Sequence, residues 1–150
     1  MRITTQGDYA LRCLLNIARN GVSGPVAISR ISEQERLPVD YIEQLLLKLR
    51  RKKLIRSVRG VKGGYVLNRA PIQISVGHVL EAVEGSCFEV ICERKSRTKG
   101  RVCQHADREC VLRSMWQGLK SEVDHFLERY TLASLMAEII PDERKTGGVV

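Results

Sequence analysis

The sequence of 150 residues contains no apolar run that approaches the ~20 residues of a membrane-spanning helix. Its amino terminus carries Asp8 before the first apolar stretch and lacks a small-residue cleavage signature, so we expect no signal peptide. Internal repeats, low-complexity segments and any set of nucleophile, base and orienting residue are also missing. The glycines of residues 60–64 lie between strand-like runs, whereas a phosphate-binding loop would lead into a helix. These absences predict a cytoplasmic protein that is not an enzyme.

Acidic residues are the minority among the charged residues. Lysine and arginine number 25 against 17 aspartates and glutamates, which gives a net charge of +8 and a pI near 9.5. A small basic protein is biased toward nucleic acids or other anionic surfaces. The five cysteines should be reduced in the cytoplasm, so a metal, cluster or redox role is favoured over a disulfide framework.

The stretch from Pro38 to Asn68 carries the strongest pattern in the chain. Pro38 suits the first position of a helix. The residues after it place one apolar face at helical spacing, formed by Ile42, Leu45, Leu46 and Leu49. The opposite face is polar, and the cationic run Arg50–Lys53 follows it. This pattern predicts a helix that packs on a core and presents polar side chains outward.

Two short β-prone runs follow this helix, at residues 54–58 and 65–67, and they flank the basic, glycine-rich residues 59–64. This order predicts a β-hairpin with an exposed tip. A polar-faced helix followed by a basic hairpin is typical of a winged helix-turn-helix, which places the helix in the major groove and the hairpin on the backbone or in the minor groove. The alternative is an ordinary surface helix and hairpin with solvated charges.

Further helices are predicted at about residues 6–20, 28–35 and 76–84, with a long helix from Asp107 to about Arg129 and a short one after Thr131. Thr5 and Asp8 have capping-box spacing at the start of the first helix. The arm before them, residues 1–4, is β-prone and suited to pair with the hairpin. The expected fold class is therefore mainly α with a small β-hairpin.

The expected organisation divides the chain by these elements. Residues 1–70 form a winged helix-turn-helix DNA-binding domain, 71–85 a linking helix, 86–110 a cysteine-bearing sensor loop, 107–139 the dimerisation helices and 140–150 a flexible tail.

The long helix carries an apolar stripe that a small winged domain cannot cover, because ~22 residues of helix span ~33 Å. We expect the stripe to bury against a second copy of the chain, and a cofactor site built on Trp116 is the less favoured alternative. The residues expected at this dimer interface are Leu112, Met115, Trp116, Leu119, Val123 and Phe126.

Residues 86–106 show poor helical periodicity, and a loop of this length inside a compact chain is usually functional. The side chains in or just beyond it that could bind a metal are Cys87, Cys92, Cys103, His105 and Cys110. An iron–sulfur cluster, a zinc site that includes His105, and inert or disulfide-switching thiols are all open. Cys13 lies on the inward face of the first helix and is expected to be a core residue.

Several segments together resemble one known family: MRITTQGDYAL at the amino terminus, YIEQLL in the polar-faced helix, SVRGVKGGYVL in the hairpin, ISVGHVLEAVEG after it, and the cysteine-bearing loop followed by CVLRSMW. They are similar to the Rrf-two family of bacterial winged-helix regulators, in its IscR-like and NsrR-like branches, over about residues 1–139. The resemblance implies a homodimer with crossing long helices that binds a palindromic operator in double-stranded DNA. For members with three loop cysteines it also implies an iron–sulfur cluster, with two or four irons, that sets DNA affinity.

The resemblance also implies which residues contact DNA. Tyr41, Glu43 and Gln44 match base-reading positions, where Gln44 suits adenine and Glu43 suits the amino group of cytosine. Arg59 matches the wing arginine and suits a narrow minor groove. The residues assigned to phosphates, which position the protein without specifying sequence, are Lys48, Arg51 and Lys62.

For a cluster, Cys92, Cys103 and Cys110 are the best matches to the family's cysteines, and Cys87 is a substitute for Cys92. Their spacing is wider than is usual in the family, and a loop absorbs such insertions at little thermodynamic cost. Cys110 is expected in the first turn of the long helix, where the helix dipole favours the thiolate that binds iron.

The resemblance leaves the fourth cluster ligand open. Arg113 stands where IscR-like members have a ligating histidine. Asp8 stands where NsrR-like members use an aspartate of the partner subunit, and His105 is a third candidate. The alternative function is a cluster-free regulator controlled by a zinc or thiol switch, or by binding a metabolic enzyme as some relatives do.

Overall fold

The computed structural model describes residues 3–86, 88–93, 95–96, 100–101, 103, 105 and 109–137. The helices are α1 (Thr5–Asn20), α2 (Ile28–Glu35), α3 (Val39–Arg51), α4 (Val76–Glu84), α5 (Val111–Arg129) and α6 (Leu132–Met136). The strands are β1 (Ile55–Val58), β2 (Gly64–Leu67), β3 (Lys95–Ser96) and β4 (Gly100–Arg101). This architecture confirms the predicted class, mainly α with a winged helix-turn-helix and a long helix near the carboxyl end. Among the described helices, none combines the length and apolar character needed to cross a membrane.

One apolar core holds the helices around α3. The four side chains predicted to line the inward face of α3 are completely buried: Ile42, Leu45, Leu46 and Leu49. They pack in one cluster with side chains of four other helices, among them Leu14 of α1, Ile31 of α2, Val79 of α4 and Leu132 of α6. Cys13 belongs to the same cluster, as predicted. Because this burial fixes the rotation of α3 about its axis, the opposite face of the helix must point to solvent.

The wing is the antiparallel hairpin of β1 and β2, paired from Ile55 with Leu67 to Val58 with Gly64. Val26, in the turn before α2, bridges to Tyr65 through two backbone hydrogen bonds of 2.9 Å. A Cβ added to Gly64 would lie against the carbonyl of Val26, and its φ of 156° also favours glycine. The bridge to the wing therefore comes from Val26. The predicted pairing of residues 1–4 with the wing lies partly outside the described residues.

Helix α1 begins one residue earlier than its capping-box spacing predicted, so that prediction was wrong. Thr4 is the N-cap, with an extended backbone and a side-chain oxygen that accepts from the N–H of Gln6. Asp8 therefore lies beyond the third helical position and pairs with Arg12 at 2.8 Å instead of capping the helix. The N–H at the third position, that of Gly7, donates to Glu84 of α4 at 3.0 Å. The carboxylate of Glu84 thus bonds the carboxyl end of α4 to the amino end of α1.

The carboxyl-terminal half departs from prediction at its start. Helix α5 has Cys110 as its N-cap, so the predicted cap Asp107 was wrong, and Asp107 itself lies outside the described residues. Strands β3 and β4 form a small hairpin within the segment predicted to be irregular. After α5 the chain returns to the core, because Leu132 N–H donates to the carbonyl of Ile74 at 2.9 Å. The predicted tail, residues 140–150, also lies outside the described residues.

Candidate DNA-binding surface and cysteine-bearing segment

The outward face of α3 presents the side chains that sequence reasoning assigned to bases. Glu43 and Gln44 are exposed, as is Arg51 in the last turn. Tyr41 is half-buried, and its ring meets that of Tyr9 edge-on at a centroid distance of 5.9 Å. The contact with α1 holds the ring of Tyr41, so that this residue combines packing with a partly exposed position at the edge of the outward face of α3.

Lys48 occupies a different environment from the one predicted. Its side chain is half-buried, and its ammonium donates to Gln6 Oε1 at 3.1 Å and to the carbonyl oxygen of Val83 at 3.1 Å. The charged group thus binds one oxygen of α1 and one of α4. Nothing in the pattern of α3 alone signals this contact, since both partners lie on other helices.

The wing carries its basic residues away from the core. Arg59 and Lys62 are exposed. Arg59 precedes, and Lys62 lies within, a tight turn that the N–H of Gly63 closes on the carbonyl of Gly60 at 2.9 Å. Within the described part of the chain, no ion pair engages Arg51, Arg59 or Lys62. A backbone turn leads from α3 directly into β1, where Leu54 N–H donates to the carbonyl of Leu49 at 3.1 Å. Helix α3 and the wing are therefore joined by a short, hydrogen-bonded turn.

Three of the described cysteines lie between α4 and the body of the long helix α5. Cys92, Cys103 and Cys110 are half-buried, and all three are free thiols. Cys110 caps α5 rather than lying in its first turn as predicted. Cys87, the predicted substitute ligand, lies outside the described residues.

The donor set suits a soft metal centre, but the described residues do not assemble one. Thiolates are the ligands that iron–sulfur clusters use. Among the described residues, no group of three or more histidines, cysteines, aspartates or glutamates is gathered around a point where a metal ion would fit. His105 is exposed, and its backbone carbonyl accepts from Arg113 at 3.0 Å. Asp8 is exposed and paired with Arg12. The chemistry of the three thiols therefore fits a cluster, whereas their positions would have to converge to bind one.

Helix α5 exposes the apolar stripe predicted for dimerisation. Exposure of these side chains ranges from 37% to 57% for Leu112, Met115, Trp116, Leu119 and Phe126, while Val123 is half-buried. Leu127, in contrast, is 6% exposed and packs toward its own subunit. An apolar face of this length is unusual on an isolated soluble chain.

Comparison with known proteins agrees with this geometry. Residues 3–138 match the Rrf2, or Rrf-two, family, described as an iron-dependent transcriptional regulator. The HTH-type transcriptional regulator IscR of Sodalis glossinidius is 39% identical over 137 residues, which cover 91% of this chain and 79% of that protein.

Two solved structures have the same fold over nearly the whole chain. The structure of CymR, the global cysteine regulator of B. subtilis, has a TM-score of 0.73 at 29% identity, covering 92% of this chain and 98% of that one. The structure of T. potens IscR has a TM-score of 0.70 at 27% identity, covering 100% and 93%. These relatives confirm the family that the sequence motifs predicted: the chain belongs to the Rrf2 family and is a DNA-binding transcriptional regulator, not an enzyme.

Proposed function

We propose that this regulator is a cytoplasmic homodimer that binds a palindromic operator and whose DNA affinity is controlled by an iron–sulfur cluster. The observation that carries the proposal is the placement of three free, half-buried thiols on the segment that joins the DNA-binding half to α5. The family's description as iron-dependent supports it.

Exposure of the side chains supports the proposed DNA contacts. Gln44 and Glu43 would read base edges in the major groove, with Tyr41 at the edge of the same face. Arg59 would enter the minor groove, where a narrow groove concentrates negative potential. Arg51 and Lys62 would contact phosphates. Lys48 is not assigned to phosphate here, because its ammonium is bonded to Gln6 and Val83.

The homodimer would form through the exposed stripe of α5. Packing two such helices removes apolar side chains from water, and each Å² buried contributes about 25 cal/mol. A two-fold dimer presents two copies of α3, which is why the operator should be palindromic, with half-sites about one helical turn or a multiple of it apart.

The cluster would be held by Cys92, Cys103 and Cys110. It would supply a link among the three thiolates that forms or breaks with iron supply, oxidants or nitric oxide. Binding requires the thiols to deprotonate and to converge, so ligation would order the segment around them. The fourth ligand is proposed to be Asp8 of the partner subunit, which would have to leave Arg12. Cys87 and His105 are the lower-ranked candidates.

Anaerobic purification tests this proposal. We expect a coloured protein with iron and sulfide in similar amounts, and DNA affinity that changes when the iron is removed. Cys103→Ala and Cys110→Ala should abolish the colour, whereas the core variant Cys13→Ala should keep it. Asp8→Ala should retain a cluster that is lost faster in air. A colourless protein under anaerobic conditions contradicts the proposal.

A cluster-free thiol or zinc switch is the second candidate, favoured by the finding that the described cysteines are not gathered around a metal position. It predicts a colourless protein whose DNA affinity changes on thiol oxidation or on addition of zinc. Control by a bound metabolic enzyme predicts instead a colourless protein that purifies together with that enzyme.

A further inference from the structure

We propose that Lys48 is a positioning residue that ties the recognition helix α3 to the segment leading into the cysteines, and that it does not bind phosphate. Through this tie, a change in the cysteine-bearing segment would reach the base-reading face of α3. The second half of this inference rests on the proposed control of DNA binding by that segment, whereas the first half rests on contacts alone.

The ammonium of Lys48 lies where three helices meet. It donates to the side-chain oxygen of Gln6, the second residue of α1, and to the main-chain oxygen of Val83 near the end of α4, both at 3.1 Å. The last four carbonyls of a helix lack partners within the helix. Lys48 supplies such a partner to α4, and its positive charge is also favoured at that end by the helix dipole.

The two partners of Lys48 belong to one joint. Glu84, the residue after Val83, accepts hydrogen bonds from the backbone N–H groups of Thr4 and Gly7 and from the hydroxyl of Thr4. The carboxyl end of α4 is thus bonded directly to the amino end of α1, and Lys48 attaches α3 to both. Glu84 is the last residue of α4, so the cysteine-bearing segment starts immediately beyond this joint.

A phosphate contact would compete with these bonds. The side chain is half-buried, and swinging the ammonium outward would leave the Val83 carbonyl without this donor in a partly buried place. Arg50 and Arg51 follow Lys48 on α3 and are exposed, so they can neutralise phosphates at no such cost. Lys52, one turn further on, also faces α4, but its 3.4 Å pair with Glu81 is exposed and contributes little.

The consequence for DNA reading follows from helix geometry. Gln44 lies one turn before Lys48, on the same side of α3, and its side chain is exposed. A shift of the α1–α4 joint would pull on Lys48 and rotate or slide α3 as a rigid unit. Such a shift changes the fit of Gln44 and its neighbours to base edges while leaving the charge of the surface unchanged.

The experiment compares two lysines that differ in environment. Lys48→Met keeps the unbranched apolar stem of the side chain and removes the ammonium group. Lys62→Ala on the exposed wing is the matched control. Both are measured by fluorescence anisotropy on a duplex selected by the wild-type protein from a random-sequence library, and on a scrambled duplex, across a salt series. Circular dichroism confirms that each variant is folded.

We expect Lys48→Met to weaken binding to the selected duplex by about threefold to tenfold, the effect of losing one or two modest hydrogen bonds. Its affinity for the scrambled duplex and its salt slope should stay at the wild-type values. Lys62→Ala should weaken both duplexes alike and reduce the salt slope by about one unit. If Lys48→Met instead behaves like Lys62→Ala, Lys48 is a phosphate contact and the proposal is overturned.

A second variant guards against a general loss of packing. Gln6→Leu removes one partner of the ammonium and leaves α3 untouched. It should reduce selectivity in the same direction as Lys48→Met, and the double variant should be no weaker than Lys48→Met alone, because both changes break one tie. If the losses of binding free energy in the two single variants add fully in the double variant, Lys48 and Gln6 do not act as one tie.

The effect of the cysteine-bearing segment on α3 through Lys48 is measured as the ratio of DNA affinities with and without iron. Lys48→Met should bring this ratio closer to one than in the wild type while the visible spectrum is unchanged. An unchanged ratio would refute transmission through Lys48. A wild-type ratio of one would refute cluster control and transmission together, and the salt slope and selectivity would still decide whether Lys48 is a positioning residue.

Discussion

The described cysteines lie in two different environments. Cys13 of α1 is completely buried among apolar side chains, and burial, with a smaller contribution from the charge of Glu35, raises the pKa of its thiol to about 12. Cys92, Cys103 and Cys110 are half-buried and make no disulfide. In the first region the sulfur is part of the packing, whereas in the second it is accessible to a ligand or an oxidant. Burial therefore makes the sulfur of Cys13 inaccessible and leaves the other three sulfurs within reach of reagents.

The largest expected effect is on thiol reactivity. At pH 8 a shift of the pKa from 9.0 to about 12 lowers the thiolate fraction of Cys13 about a thousandfold. We therefore expect iodoacetamide to label Cys92, Cys103 and Cys110 in iron-free protein and to leave Cys13 unlabelled over the same time. Peptide mass spectrometry measures the four rates. Labelling of Cys13 at a rate similar to that of the others would break the comparison.

The next effect concerns the long helix. Leu119→Asp puts a charge into the proposed helix–helix seam, and burying it unpaired costs several kcal/mol, so the dimer should dissociate. Gln117→Asp, on the polar side of α5, should leave the dimer intact. Sedimentation measures the oligomeric state of both variants. A stable Leu119→Asp dimer would show that the apolar stripe of α5 does not form the interface.

A smaller effect is expected at the joint between α1 and α4. A Cβ added to Gly7 would lie 2.6 Å from Glu84 Oε1 and 2.6 Å from Leu80 Cδ2. Gly7→Ala should therefore lower the free energy of unfolding by about 1–3 kcal/mol through overpacking. Gly21→Ala meets no atom within 4 Å and should change stability by less than about 1 kcal/mol. Urea unfolding of both variants measures the difference, and equal stabilities would show that the joint is loose.

An effect of comparable size, on DNA binding, is expected in the wing. Arg59→Ala should weaken binding to the selected duplex by roughly 1–3 kcal/mol, the scale of one good base or groove contact, and relax selectivity. Its exposed neighbour Lys62→Ala should instead weaken all duplexes alike. Anisotropy titrations on the selected and scrambled duplexes distinguish the two variants. If Arg59→Ala also weakens both duplexes alike, Arg59 contacts phosphate and not the bases or the groove.

The sequence predicted the DNA-binding half well because its structure depends on apolar periodicity. Burial of Leu45 and Leu49 determines which face of α3 is exposed, and the glycine at position 64 marks the hairpin. Contacts between distant elements carry no such local signal. Neither the bond from Lys48 to Val83 nor the bridge from Val26 to Tyr65 leaves a mark in the sequence near either residue.

The cysteine-bearing segment was predicted less well for a different reason. The start of α5 was placed at Asp107 because a carboxylate is a strong N-cap, yet the helix is capped by Cys110 without a side-chain hydrogen bond. Few apolar side chains specify this segment, although Val90 is buried. Under the proposed function, a ligand held by Cys92, Cys103 and Cys110 would supply part of the structure that a core would otherwise provide.

The return of the chain to the core after α5 sets a limit on truncation. Leu132 is completely buried in the same cluster as Leu14 of α1, and Thr131 bridges to Ser75 at the start of α4. A fragment that ends after the wing or after α4 would leave the site of Leu132 empty, at a cost of about 2–5 kcal/mol. The smallest DNA-binding fragment that folds cooperatively should therefore extend to about Met136, so that the long helix cannot be removed without weakening the part that reads DNA.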